Sequence, residues 1–231
     1  MDWVGHACLR YLCEHRRVLQ RIKARAKDRL RRAVATGAPS DETFSHVVIA
    51  GGTLREWVGF NHHAWSKRLD DIVKAVQPEG VRWVTLVPVS SGFSDEESTI
   101  SDVSDLKENV TRALRHVSGR VDVIVRTETD GRQRFVDVVN ALSLGRDETN
   151  SQSSVSEMRL AKALLAPAEA EPDLVLILGP PTQLPTSLVW ELGYSEIVFL
   201  DIGWESLSTE HLQMAVDDYR RRNRRFGGID A

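Results

Sequence analysis

The chain has 231 residues, 42% hydrophobic and 27% charged, with a formal net charge of −3. That balance excludes a disordered chain and allows one sizeable core or two small domains. The longest aliphatic run is Leu174 to Leu178, far short of the ~18 apolar residues of a membrane span. With Asp2 and His6 and no apolar block at the start, a secretory leader is not expected. Cys8 and Cys13, close together, fit neither a disulfide framework nor a zinc pattern, and the cytoplasm is the expected compartment.

The charge is unevenly spread. Residues 1–35 carry ten Lys or Arg against Asp2, Glu14 and Asp28, a net of +7 that leaves −10 for the remainder. Leu12, Leu19, Ile22, Ala26, Leu30 and Ala33 recur at helical spacing, so residues 9–34 read as a basic amphipathic helix. Packing on its own domain, peripheral contact with an anionic membrane and nucleic-acid binding compete for it. No nucleic-acid motif accompanies the charge, so that third role is set aside.

Thr36-Gly37-Ala38-Pro39-Ser40 ends this segment, giving residues 1–40 as helix and linker and 41–231 as the main domain. Strands are expected at His46–Ala50, Val81–Val89, Val121–Arg126, Phe135–Val139, Leu174–Leu178 and Ile197–Leu200. Helices are expected at Lys67–Gln77, Asp102–Val117, Ser153–Leu165, Leu184–Tyr194 and Ser208–Arg225, with Glu148–Ser156 a flexible loop. Strands alternating with helices, several of them uniformly apolar, predict an α/β fold with a central parallel sheet covered on both faces. Such sheets bind ligands beyond the carboxyl ends of their strands. The first such end is Ala50-Gly51-Gly52-Thr53, readable as a phosphate approach or as a tight turn. There is no G-x-G-x-x-G and no Walker sequence.

The stretch from Leu188 through Trp190, Tyr194 and Glu196 to Trp204, with Asp173-Leu174-Val175 before it, resembles the end of cis-prenyltransferases, the undecaprenyl and dehydrodolichyl diphosphate synthases. Arg222-Asn223-Arg224-Arg225-Phe226-Gly227-Gly228 resembles that family's closing Arg-x-Gly motif. His46–Ile49 is similar to its first strand, Gly80–Leu86 with Ser90-Ser91 to its second, and Gly145-Arg146-Asp147-Glu148 to its Gly-Arg-x-Glu piece. The resemblance implies a parallel sheet with helices around a hydrophobic tunnel, and dimerisation through the C-terminal part. It also implies magnesium-assisted addition of isopentenyl diphosphate to an allylic diphosphate.

That chemistry needs a cation-holding carboxylate and guanidiniums for the departing charge. The family's Asp-Gly-Asn-x-x-Arg loop is replaced by Gly51-Gly52-Thr53-Leu54-Arg55, so Gly51 or Gly52 stands where the aspartate belongs. Ser90-Ser91-Gly92-Phe93 replaces Ser-x-Glu-Asn. Ile177 and Gln183 replace two arginines of the isopentenyl diphosphate site, and Pro185 replaces its serine. Each charge-assisted bond to phosphate contributes roughly 1.5–3 kcal/mol, so these losses remove on the order of 4–8 kcal/mol. Of the acidic metal-associated positions only Glu196 survives. Arg55, Arg126, Arg146, His62 and His63 are the cations available to rebuild an anion pocket, with nothing in their spacing to make them converge.

Trp190, Tyr194, Glu196 and Trp204 fall in the family's dimer contact, where the aromatic residues read equally as core packing. The resemblance assigns Arg225, Gly227 and Gly228 to a tail that reaches a partner's bound diphosphate, while a helix end with a glycine cap explains the same residues. The pattern is similar to the non-catalytic, Nogo-B receptor-type subunit of heteromeric cis-prenyltransferases. The expectation is a subunit with no catalytic residue or metal of its own, paired with a catalytic homologue that holds magnesium. A divergent prenyltransferase or terpene-type enzyme with a rebuilt site, and a homodimeric isoprenoid-binding protein without turnover, are the alternatives.

Overall fold

The computed structural model describes residues 44–90, 100–117, 119–144, 155–182, 184–193 and 195–222. The basic segment at 9–34, Ser91 to Phe93, Gly145 to Glu148, Gln183, Tyr194, Arg225, Gly227 and Gly228 lie outside them. The elements are β1 His46–Ala50, α1 Leu54–Val58, α2 His62–Val76, β2 Trp83–Val87, α3 Ile100–Leu114, β3 Asp122–Val125 and α4 Gly131–Leu144. They continue as α5 Glu157–Leu165, β4 Leu174–Leu178, β5 Glu196–Leu200 and α6 Thr209–Arg221.

The five strands pair in the order β3-β2-β1-β4-β5, every pair parallel. Parallel neighbours require crossovers, and the elements that supply them cover both faces, which is why the central strands β1, β2 and β4 are buried at every position rather than alternately. Successive side chains leave a strand on opposite sides. Val47, Ile49, Val84, Leu86, Leu174, Leu176 and Val198 therefore enter one large core against α2, α3 and α6. Val48, Ala50, Val87, Val175 and Ile177 form a smaller cluster on the other face, closed by Leu188. Residues spaced at three and four bury one stripe of each covering helix: Leu69, Ile72, Val73 and Val76 on α2, and Leu212, Ala215, Val216 and Tyr219 on α6.

Three elements depart from the sequence reading. The strand expected at Phe135–Val139 lies inside α4. Its β-branched run favours a strand locally, but Asp130 accepts bonds from the amides of Arg132 and Gln133 at the helix start, and a parallel crossover from β3 has to be made. The helix expected at Leu184–Tyr194 is absent among the residues described there. The Thr186 carbonyl, which in a helix would accept from Trp190, accepts instead from the Gly131 amide at 3.0 Å. Separate turns, Leu188 to Pro185 and Gly193 to Trp190, take the helix's place. Helix α1 was not anticipated at all. No helix among the described residues is long and apolar enough to cross a membrane.

Candidate functional site at the carboxyl edge of the sheet

The chain turns sharply after β1. Gly51 donates to the Val87 carbonyl at 3.1 Å and Val89 donates to the Gly52 carbonyl at 2.8 Å, which ties the loop to the end of β2. Gly52 has a φ of 73°, a conformation that favours glycine. Both glycines are enclosed by side chains. A Cβ on Gly51 would lie 2.6 Å from Cδ1 and 2.8 Å from Cβ of Leu178. A Cβ on Gly52 would lie 2.6 Å from Trp57 Nε1 and 2.8 Å from Cγ of Trp204. Neither position has space for an aspartate.

What fills that space is a group of three tryptophans. Trp57 Nε1 donates to the Gly51 carbonyl at 3.0 Å, and Trp65 Nε1 donates to the Trp57 carbonyl at 3.3 Å. Trp57 meets Trp65 edge-on with centroids 5.5 Å apart, and Trp204 lies 5.4 Å from Trp57 and 5.9 Å from Trp65. The Arg68 guanidinium sits 5.2 Å over the Trp204 ring and donates to the carbonyls of Leu207 and Glu205. Trp204, which the sequence left between core and subunit interface, is 1% exposed within this core.

The start of α1 is also occupied. Helix starts at the carboxyl ends of parallel strands are natural places for an anion. Here Thr53 accepts from the Glu56 amide at 3.2 Å, and the Glu56 carboxylate accepts from the Thr53 amide at 2.6 Å. This reciprocal cap is the Thr-x-x-Glu signature that would have revealed α1 in the sequence. On the opposite face Ile177, in place of an arginine, is 2% exposed among Val48, Ala50, Val87, Val175 and Leu188. Pro185 accepts from the Leu188 amide in the first turn of the 184–193 bend.

The candidate cations divide between the two faces. His62 and His63 open α2 with rings 4.0 Å apart. Partial desolvation first, then His63, Arg112 and His116, hold His62 below the usual imidazole range. Arg55 lies on α1. Arg126, following β3, shares the Ala50 and Val87 face and donates to the Leu164 carbonyl at 2.6 Å. The described cations of the sequence list thus do not form one pocket.

One polar cluster escaped the sequence reading. Arg134 donates to Glu191 at 2.5 Å, with side chains only 9% and 1% exposed. Burial, then the neighbouring Arg134, pushes the Arg126 guanidinium down to about 10, against the pull of Glu191 and Glu128. The Nε atoms of Arg126 and Arg134 and Oε2 of Glu191 are buried without a partner. Its only trace in the sequence is the charge of Glu191 within the apolar run Leu188 to Leu192, since Arg134 sits among the polar residues Asp130 to Asp137.

Glu196 lies at the opposite end of the sheet. It begins β5 and accepts from Arg222 Nη1 at 3.3 Å. Trp190, half-buried, donates to both Glu171 oxygens at 3.1 Å, and Phe135 stacks on it at 6.4 Å. Burial raises the Glu171 carboxyl above its usual range, partly offset by that bond. A resident magnesium needs oxygen ligands, carboxylates foremost. At this edge the aspartate positions are closed, Glu56 is committed to its cap, and Glu196 is at the far end. No group of three or more His, Cys, Asp or Glu that could hold a metal is found among the described residues. The donor set of the described residues does not fit the ion.

The arrangement is a parallel α/β domain whose carboxyl edge, among the described residues, is packed closed at Gly51 and Gly52. The family profile described as "Putative undecaprenyl diphosphate synthase" matches residues 94–227, and the chain belongs to that prenyltransferase family. The ditrans,polycis-undecaprenyl-diphosphate synthase of Micrococcus luteus is 24% identical over 178 residues, covering 74% of this chain and 71% of the relative. An isoprenyl transferase of Chromobacterium violaceum is 32% identical over 127 residues, covering 54% of this chain and 48% of the relative, so the chain spans about half that protein's length. Among solved structures, lavandulyl diphosphate synthase from Lavandula x intermedia shares the fold with a TM-score of 0.57 at 16% identity, over 80% of this chain and 99% of that one. A "probable undecaprenyl diphosphate synthase" from Campylobacter jejuni gives 0.55 at 15% identity, over 82% and 100%.

Proposed function

We propose that this chain is a non-catalytic subunit that pairs with a catalytic cis-prenyltransferase, stabilises it and adds Arg225 and the Gly227-Gly228 backbone to the partner's diphosphate site. The observation that carries the reading is the closure of the edge at Gly51 and Gly52, where a Cβ would lie 2.6 Å from Leu178 or Trp57. Ionising an allylic diphosphate needs a cation and positive donors aimed at the leaving group. A site whose acid position is sealed by packing and whose arginine position is the buried Ile177 supplies neither. The relatives' names point to isoprenyl transfer, so usefulness in that reaction comes through association. The magnesium belongs to the partner.

The test is co-expression with a family member that carries an aspartate in the loop after its first strand. A stable complex with higher turnover than the partner alone is expected, and Arg225→Ala in this chain lowers that turnover. Magnesium-dependent chain elongation by this polypeptide in isolation, or the lack of any complex, overturns the reading.

A further inference from the structure

The polar cluster on the second face of the sheet has no part in the subunit reading. Its three members come from three places in the fold: Arg126 after β3, Arg134 on α4 and Glu191 in the bend before β5. They gather beneath the sheet rather than at the Gly51 and Gly52 loop. His46 points to the same face as Val48, two residues on, and the charges of Arg126 and Glu191 both reach its ring.

Each member is held by one bond and keeps one buried atom unused. Arg134 Nη2 donates to Glu191 Oε1 at 2.5 Å, and Arg126 Nη2 donates to the Leu164 carbonyl at 2.6 Å. The Nε atoms of both arginines and Oε2 of Glu191 remain. Charge is left over as well. Two guanidiniums face one buried carboxylate, and burial, then the like charge of Arg134, pushes Arg126 down. The other carboxylates near the cluster are exposed and engaged: Glu128 accepts from the Thr127 amide at 3.1 Å, and Glu171 accepts from Trp190 at 3.1 Å. Closing Arg134 Nε onto Glu191 Oε2 would complete one ion pair and still leave Arg126 without a buried counter-ion.

The unused atoms specify their complement. A guanidinium Nε–H only donates and an ionised carboxylate oxygen only accepts. A guest that meets all three atoms accepts twice and donates once, and a negative charge on it balances the cluster. Chloride and sulfate have no proton to give Glu191, and water supplies the bonds without the charge. We propose that Arg126, Arg134 and Glu191 bind a small oxyanion that keeps a hydroxyl group, as hydrogen carbonate and hydrogen phosphate do. Its oxygens accept from the two Nε atoms, and its hydroxyl donates to Glu191 Oε2. The site lies on the face of the sheet opposite the tryptophan group.

Thermal unfolding of the full chain tests this, with sodium hydrogen carbonate, phosphate, sulfate and chloride compared at equal ionic strength and about pH 7.5. Arg126→Leu removes the surplus cation, and Arg134→Met with Glu191→Leu removes the other two groups. Either variant records the general salt effect on stability, which is subtracted. Hydrogen carbonate or phosphate then raises the midpoint of the native chain saturably, by about 3–6 °C at about tenfold excess over the dissociation constant. The anion that saturates at the lower concentration is the preferred occupant. Sulfate and chloride give no shift beyond that of the variants. A sulfate response equal to that of the hydroxyl-bearing anions overturns the site. So does a saturable response that persists in the variants, or the lack of any response beyond theirs. The chain is used alone, so the result is independent of the subunit reading.

Discussion

Arg134 and Glu191, 57 residues apart in the chain, meet at 2.5 Å beneath α4 and join the helix to the bend that leads into β5. Glu191 faces more positive charge than Arg134 alone, since Arg126 is near enough to feel both. Removing one member of a buried pair leaves an uncompensated charge and costs about 3–5 kcal/mol, whereas replacing both by apolar residues is near neutral. Glu191→Gln or Arg134→Met should therefore lower stability far more than Arg134→Met with Glu191→Leu. Urea unfolding of the three variants measures the difference, and equal losses in all three would refute it.

Restoring the family's acid should fail. Gly52→Asp places a side chain at a φ of 73° and against Trp57 and Trp204. Left-handed strain alone costs about 1–3 kcal/mol, and the contact with two ring systems adds to it. Gly51→Asp meets the base of the Leu178 side chain. The expected result for both is a lowered melting temperature and no prenyl transfer by the isolated chain. A stable, magnesium-dependent transferase from either substitution would contradict the closed edge.

The tryptophan group should be worth more than its area. Trp65→Ala leaves a cavity in the main core and costs about 3–5 kcal/mol. Trp57→Phe keeps most of the volume but strips the Gly51 carbonyl of its 3.0 Å partner, a loss of about 1–3 kcal/mol for a buried acceptor. Chemical denaturation separates the two, with the larger drop expected for Trp65→Ala.

His46 ties stability to pH. Its Nδ1–H donates to the Ala170 carbonyl at 2.8 Å and its Nε2 accepts from Thr85 at 3.0 Å, an assignment that makes the ring neutral. Burial pushes its pKa down, assisted by Arg126 and opposed by the Ala170 bond, Asp173 and Glu191. A depressed histidine stabilises the fold at pH above the unfolded value, about 6.5, and that contribution is lost as the pH falls below it. The urea midpoint of the native chain should drop more steeply between about pH 7 and pH 5 than that of His46→Gln. Parallel curves would count against a neutral buried imidazole.

Legibility in the sequence followed the range of the interactions. All five strands and the stripes of α2, α3, α5 and α6 announce themselves within windows of a few turns, and the parallel α/β class follows from them. Helix α4 was misread because Phe135, Val136, Val138 and Val139 carry β propensity that a distant demand, the crossover, overrides. The bend at 184–193 departs from the expected helix because the Thr186 carbonyl is taken by Gly131 and its side chains reach Pro88 and Arg134, which leaves only two separate turns of its own. The substitutions at Gly51, Gly52 and Ile177 were visible as departures from a family pattern. That the gaps are filled by Trp57, Trp65, Trp204 and Leu178 was not, since no spacing rule brings residues 57, 65 and 204 together.

The Glu56 carboxylate at the head of α1 has a consequence for how this domain experiences its surroundings. A tethered carboxylate is always at hand, so free phosphate or pyrophosphate in the medium has to displace a group that never diffuses away. The start of α1 is therefore filled from within the chain, and a free anion finds no open pair of amides there.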